Sequence, residues 1–169
     1  MSKVLGIAGP SGSGKTTLIE KVVPILVATG LRVSTVKHVH HEVEIDVPGK
    51  DSYRHAKAGA HEVMIALPDG WVLHHPGRKG MRTPLLEMVG NMSPCDLILI
   101  EGFRDMAIER IRVFELEANP RTVAELDPQV VAVVGTKTPE GYSVPAFQRD
   151  DALPIATFIL AHTGARPRS

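Results

Sequence analysis

The chain has 169 residues, and its 19 basic and 19 acidic side chains give a formal net charge of zero at pH 7. This balance does not favour binding to nucleic acid or to an anionic membrane, so any anion must be bound by a local group of donors. The length predicts one domain over residues 1–169, with a flexible tail at 164–169. The single cysteine, Cys95, excludes an internal disulfide and is expected to be buried. We expect no signal peptide or membrane-spanning segment, and therefore a cytoplasmic protein.

Apolar runs typical of buried strands alternate along the chain with apolar positions at helical spacing. Pro24 lies inside the first helical pattern and is expected to bend or split that helix. The first half predicts a strand at 3–8, a helix from near Gly14, a strand at 31–37, a helix at 52–60 capped by Asp51 or Ser52, and a β-hairpin at 62–67 and 71–75. The second half predicts a helix at 83–91, strands at 96–101, 110–116 and 130–134, a helical turn at 122–126, and a last helix to residue 161 capped by Asp150 or Asp151.

Residues 9–17, GPSGSGKTT, match the phosphate-binding loop pattern of a glycine, any four residues and Gly-Lys-Thr. The loop stands between a predicted strand and a predicted helix, which favours this motif over an ordinary glycine-rich turn. Backbone N–H groups and the positive end of the helix dipole are suited to bind phosphates. The Lys15 side chain can reach the β- and γ-phosphates, and the Thr16 hydroxyl can bind Mg²⁺. The residues predicted to bind a nucleoside triphosphate are Gly9, Ser11, Gly12, Ser13, Gly14, Lys15, Thr16 and Thr17. The order of elements predicts a three-layer α/β P-loop NTPase fold with a mainly parallel central sheet and an added β-hairpin.

Two carboxylates are candidates to complete a Mg²⁺ site with Thr16. Glu101 ends a continuous apolar run, and a carboxylate at such a strand end holds Mg²⁺ directly or through water in phosphate-loop proteins. The alternative for Glu101 is a strand-end carboxylate that meets solvent. Asp46 lies beyond the second predicted strand, where a switch residue near Mg²⁺ is common. A solvated loop aspartate is an equally good interpretation of Asp46.

A histidine cluster at His38, His40 and His41 follows the second predicted strand. In an extended segment His38 and His40 share one face, and a third ligand such as His74 or His75 would complete a Zn²⁺ or Ni²⁺ site. No Cys-His spacing of a known zinc motif accompanies them. A hydrogen-bonded structural role, or contact with a ligand's phosphate, is the competing interpretation.

Several segments together resemble the molybdopterin-guanine dinucleotide biosynthesis adaptor proteins (MobB). The resemblance implies a dimeric, GTP-binding adaptor with Mg²⁺ and weak GTPase activity, which assists the guanylyltransferase that attaches GMP to molybdopterin. Molybdopterin and molybdoenzymes are further implied partners, whereas nucleic acid and membranes are not. The segments are the phosphate loop, Lys37-His38-Val39-His40-His41, Asp46-Val47-Pro48-Gly49-Lys50-Asp51-Ser52 with Ala58-Gly59-Ala60, and Ile100-Glu101-Gly102-Phe103-Arg104.

No individual residue specifies which nucleotide base is bound or how hydrolysis is catalysed. The strand at 130–134 leads into Gly135-Thr136-Lys137-Thr138, which keeps only the lysine of the Asn-Lys-x-Asp element that reads guanine. No residue is placed like the glutamine that positions water in regulatory GTPases, so no catalytic residue is assigned. Two other functions stay open: a small-molecule kinase with Arg78 and Arg82 in a lid, and a metal-chaperone GTPase that uses the histidine cluster.

Overall fold

The computed structural model describes residues 2–39, 46–75, 84–102, 107–114, 127–138, 140 and 142–167. The chain separates into two compact units, one formed by Met1–His38 with Pro94–Ser169 and the other by Val39–Ser93. The single domain expected from chain length stays a prediction. None of the helices in the described ranges combines the length and apolar character that a transmembrane segment needs.

Eight strands and four helices are described. The strands are β1 (Lys3–Ala8), β2 (Val33–Lys37), β3 (Val63–Leu67), β4 (Gly70–His74), β5 (Leu97–Glu101), β6 (Arg110–Val113), β7 (Val130–Gly135) and β8 (Ala146–Gln148). The helices are α1 (Lys15–Ala28), α2 (Asp51–Lys57), α3 (Leu85–Gly90) and α4 (Ala152–Thr163).

The first unit is built on a six-stranded parallel sheet in the order β2-β5-β1-β6-β7-β8. β5 is a continuous apolar run, and residues 97–100 are at most 1% exposed, as expected for a parallel strand covered on both faces. From α1, Leu18, Val22 and Leu26 enter the core at a spacing of four residues, which keeps them on one helix face. α4 contributes Ile155, Ala156 and Ile159 to the same core.

The register of the sheet brings the functional segments to one edge. Lys37 at the end of β2 is paired with Glu101 at the end of β5, and Ile7 near the end of β1 is paired with the same Glu101. The phosphate-binding loop leaves β1 at this edge. The carboxyl ends of parallel strands are the usual place for a ligand in an open α/β sheet.

The second unit contains α2, the hairpin of β3 and β4, and α3. β3 and β4 are antiparallel, with a register from Val63 opposite His74 to Leu67 opposite Gly70. The Pro68-Asp69-Gly70 turn therefore joins two strands, as the sequence predicted.

Some element boundaries differ from the predictions. α1 continues through Pro24 without a split, because its apolar side chains pack into the core on both sides of the proline. α2 begins at Asp51 with Lys50 at its N-cap, so Asp51 lies in the first turn instead of capping the helix. The predicted strand at 110–116 ends at Val113, and the predicted turn at 122–126 lies outside the described residues.

The C-terminal part of the first unit has two features that the sequence analysis did not anticipate. β8 is a three-residue strand paired with β7 at the sheet edge. Ala165, in the segment expected to be a flexible tail, is 8% exposed and packs in the core. The expected burial of Cys95 is confirmed, since this residue is 3% exposed.

Candidate nucleotide-binding site

The loop between β1 and α1 has the backbone conformation that its glycines allow. Gly12 and Gly14 have φ angles of 79° and 88°, in the left-handed region that is costly for residues with a side chain. Gly14 is the N-cap of α1, and its carbonyl oxygen accepts from the N–H of Leu18 at 2.9 Å. The amino end of α1, where N–H groups lack partners within the helix, therefore follows directly on the loop.

Gly9 allows the loop to pass close to β6. A Cβ atom at Gly9 would collide with the backbone carbonyl oxygen of Val113 and would lie 2.7 Å from Oγ of Ser13. Oγ of Ser13 is buried, and among the described residues it has no hydrogen-bond partner. The Ser13 hydroxyl therefore packs under the loop, next to Gly9 and close to β6.

Lys15 is folded back over the loop. Its Nζ donates to the carbonyl oxygen of Gly9 at 3.0 Å and to that of Pro10 at 2.7 Å. These two bonds hold a positive charge at the loop, where phosphate oxygens are the expected acceptors.

Thr16 and Glu101 are brought together at the sheet edge. The Thr16 hydroxyl donates to Oε1 of Glu101 at 2.9 Å, and Nζ of Lys37 lies 3.7 Å from the same oxygen. The Glu101 side chain is only 13% exposed, which argues against the alternative of a carboxylate that simply meets solvent. A hydroxyl next to a carboxylate is a donor set that suits Mg²⁺.

His38 lies beside this pair. Its backbone N–H donates to the carbonyl oxygen of Glu101 at 2.8 Å, which extends the β2–β5 pairing. Gly102 has a φ of 99°, and a Cβ there would approach Cβ of His38 to 3.1 Å. Glycine at position 102 thus lets the two strand ends stay close.

Other predicted residues belong to the second unit or lie outside the described residues. Asp46 belongs to the second unit, where its Oδ1 accepts from the N–H of Val47 at 2.8 Å, and its role at Mg²⁺ stays a prediction. His40, His41 and Arg104 lie outside the described residues, as do the lid arginines Arg78 and Arg82 of the kinase hypothesis.

Arg149 is a loop contact that the sequence analysis missed. Its backbone N–H donates to the carbonyl oxygen of Gly135 at 2.7 Å, which continues the β7–β8 pairing past Gln148. Its Nη1 donates to the backbone carbonyl oxygen of Ser13 at 3.0 Å, and its guanidinium occupies the space where a side chain at Gly14 would lie. The sequence gives only a weak indication of this contact, because predicting it requires recognising a strand of three residues.

The neighbouring ion pair ties the same segment to α1. Nζ of Lys21 donates to Oδ1 of Asp150 at 2.6 Å, and this hydrogen bond lowers the pKa of the Asp150 carboxyl. Both side chains are well exposed, so the contribution to stability is small.

Thr136 and Lys137 follow β7, where the sequence analysis looked for a base-reading element. Oγ1 of Thr136 is buried without a hydrogen-bond partner in the described part of the chain, whereas Lys137 is exposed. A buried hydroxyl and an exposed lysine therefore stand at this end of the sheet.

Comparison with known proteins places this chain in a family. The family model described as "Molybdopterin guanine dinucleotide synthesis protein B" (MobB) matches residues 4–136, which include the loop, Thr16 and Glu101. The chain belongs to the MobB family. The molybdopterin-guanine dinucleotide biosynthesis adapter protein of Escherichia coli is 35% identical over 162 residues, which cover 95% of this chain and 93% of that protein. The corresponding adapter protein of Haemophilus influenzae is 39% identical over 130 residues, covering 77% of this chain and 72% of that protein.

The fold agrees with MobB structures. A crystal structure of molybdopterin-guanine biosynthesis protein B (mobB) is 33% identical and matches with a TM-score of 0.73, covering 94% of this chain and 99% of that chain. The predicted α/β fold with a mainly parallel sheet and an added hairpin is thereby confirmed. Arg149 lies beyond the residues that the MobB family model matches.

Proposed function

We propose that this MobB-family chain is a GTP-binding adaptor in molybdenum cofactor biosynthesis. It would assist the guanylyltransferase that attaches GMP to molybdopterin, with weak GTPase activity of its own. The names of the E. coli and H. influenzae relatives support the adaptor role. The observation that carries the proposal is the meeting of the glycine loop, Lys15 and the Thr16–Glu101 pair at one edge of the sheet.

The triphosphate would be held by the loop and by the start of α1. Backbone N–H groups at 12–17 and Nζ of Lys15 would meet the phosphates. Thr16 and Glu101 would hold Mg²⁺, with Asp46 as a further ligand, and bound Mg²⁺ would neutralise phosphate charge. No described side chain at this edge is assigned to positioning water, which is consistent with slow hydrolysis.

The guanine base would lie beside the segment that follows β7. The exposed Lys137 side chain is suited to lie over a purine. This residue supports a base site at the carboxyl end of β7 next to β8.

A homodimer is part of the proposal, and the hairpin supports it. Four of its large apolar side chains are exposed: Met64 to 59%, Leu67 to 52%, Trp71 to 59% and Val72 to 43%. By the hairpin register, Met64 and Trp71 lie on one face of the hairpin and Leu67 and Val72 lie on the other. Each face therefore exposes two large apolar side chains, which a second chain would cover in the proposed dimer.

The proposal is tested by light scattering coupled to size exclusion. The purified protein is expected to have the mass of two chains, and adding the guanylyltransferase with non-hydrolysable GTP should produce a larger species that contains both proteins. The same mixture with non-hydrolysable ATP is the control for the nucleotide. A monomer that forms no complex with the guanylyltransferase under either condition would overturn the proposed role.

Replacement of Glu101 by glutamine is expected to remove most of the effect of Mg²⁺ on GTP affinity. Glutamine keeps an acceptor for the Thr16 hydroxyl but lacks the charge that Mg²⁺ prefers. We expect GTP binding in the presence of Mg²⁺ to weaken about tenfold, a loss of about 1.4 kcal/mol, with little change when Mg²⁺ is chelated. Calorimetric titration measures both affinities. Glu20→Gln on the exposed side of α1 is the matched control, and an unchanged Mg²⁺ dependence in Glu101→Gln would exclude a metal role for Glu101.

A further inference from the structure

Three side chains of types that ligate metal ions converge in the second unit. All three are distant in sequence from the phosphate-binding loop. They are His61, Glu62 and His75, and one donor atom from each lies within 4.8 Å of the other two. From the sequence alone, His75 is expected only as a companion of the cluster at His38. The structure gives it two other neighbours.

The hairpin explains why residues distant in sequence meet here. Val63 is paired with His74 at the open end of the hairpin, so Glu62 and His75 stand one step beyond that pair and opposite each other. Nδ1 of His75 and Oε1 of Glu62 are 2.7 Å apart. The ring of His61 meets the ring of His75 edge to face, with centroids 5.4 Å apart and an interplanar angle of 82°.

We propose that His61, Glu62 and His75 form a binding site for a divalent transition-metal ion, with Zn²⁺ as the ion that fits best. Two imidazoles and one carboxylate are a donor set that Zn²⁺ uses, and the remaining coordination position would be filled by water. Nitrogen donors favour Zn²⁺, Ni²⁺ or Cu²⁺ over Mg²⁺, so the Mg²⁺ that accompanies a nucleotide would not compete.

The distances are close to those that coordination requires. Ligand atoms around a tetrahedral Zn²⁺ at about 2.0–2.1 Å are about 3.3 Å apart. The 2.7 Å pair must open slightly and any pair near the 4.8 Å limit must close. The side chains of His75 and Glu62 are 34% and 39% exposed, so both are accessible to an ion from solvent.

A bound ion would join the chain entering β3 to the chain leaving β4. His61 and Glu62 precede the first strand, and His75 follows the second. The metal would therefore close the open end of the hairpin and stabilise it, because it binds the folded arrangement and not the separated ends. This role does not depend on nucleotide binding.

The test uses the full chain without a histidine tag and titrates it with Zn²⁺ in a calorimeter. We expect one equivalent to bind, and His61→Ala/His75→Ala to weaken binding at least about tenfold. His74→Ala is the matched control, because His74 belongs to β4 and is not one of the three ligands. MgCl₂ alone should give no binding at this site.

Two further measurements keep the result interpretable. Zn²⁺ should raise the melting temperature of the wild-type chain and of His74→Ala, but not that of His61→Ala/His75→Ala, and circular dichroism would check that each variant is folded. His40→Ala/His41→Ala should retain the Zn²⁺ site. The proposal is overturned if the wild-type chain binds no Zn²⁺, or if Zn²⁺ is kept by His61→Ala/His75→Ala and lost from His40→Ala/His41→Ala.

Discussion

Lys15→Ala is expected to weaken GTP binding about 100-fold, a loss of about 2.7 kcal/mol. Nζ of Lys15 is held at the loop by the carbonyl oxygens of Gly9 and Pro10, so its charge is in place before phosphates arrive. Hydrogen bonds to a charged group are worth about 1.5–3 kcal/mol each, and the alanine variant loses this ammonium entirely. Calorimetric titration with GTP and Mg²⁺ measures the effect.

Lys3→Ala provides the matched control for charge. Lys3 is exposed at the start of β1, at the end of that strand opposite the loop, so its removal should leave GTP affinity within about twofold of the wild type. A comparable loss in both variants would point to a general effect of charge. Unchanged affinity in Lys15→Ala would exclude the loop as the triphosphate site.

Gly9→Ala is expected to destabilise the first unit and to abolish measurable nucleotide binding. The added Cβ collides with the backbone carbonyl oxygen of Val113, and a strand backbone cannot move aside as a flexible side chain can. Overpacking of this kind costs about 1–3 kcal/mol. For a chain of this length that corresponds to a fall in melting temperature of roughly 5 °C, measured by calorimetry or circular dichroism.

Gly90→Ala is the control for this substitution. Gly90 ends α3, and a Cβ added there meets nothing within 4 Å. Alanine at such a position is expected to be neutral or to stabilise by up to about 1 kcal/mol. If Gly9→Ala and the wild type had the same melting temperature, the loop and β6 would be able to move apart with no loss of stability.

The parts of the candidate site whose structure depends on neighbouring residues in the sequence could be predicted. The strand of residues 3–8, the glycine loop and the following helix were all expected, because the motif requires glycines at fixed positions and the apolar spacing is unambiguous. Glu101 was predictable for a related reason. A continuous apolar run that ends in a carboxylate places that carboxylate at the same edge as the loop once the sheet is parallel.

The contact of Arg149 with the loop was not predictable in this way. β8 has three residues and half-buried side chains, so neither its length nor its hydrophobic pattern identifies a strand. Its existence follows from pairing with β7, which is a property of the assembled sheet. The convergence of His61 and Glu62 with His75 likewise depends on the hairpin register, in which Val63 is paired with His74.

The hydrogen bond between Arg149 and Ser13 joins positions that are 136 residues apart. During synthesis the loop is made before β8, Arg149 and α4, which all follow it in the chain. α4 also shares its apolar core with α1. A nascent chain therefore carries the loop before Arg149 and α4 exist, so the surroundings of the loop are completed only after α4 has been made.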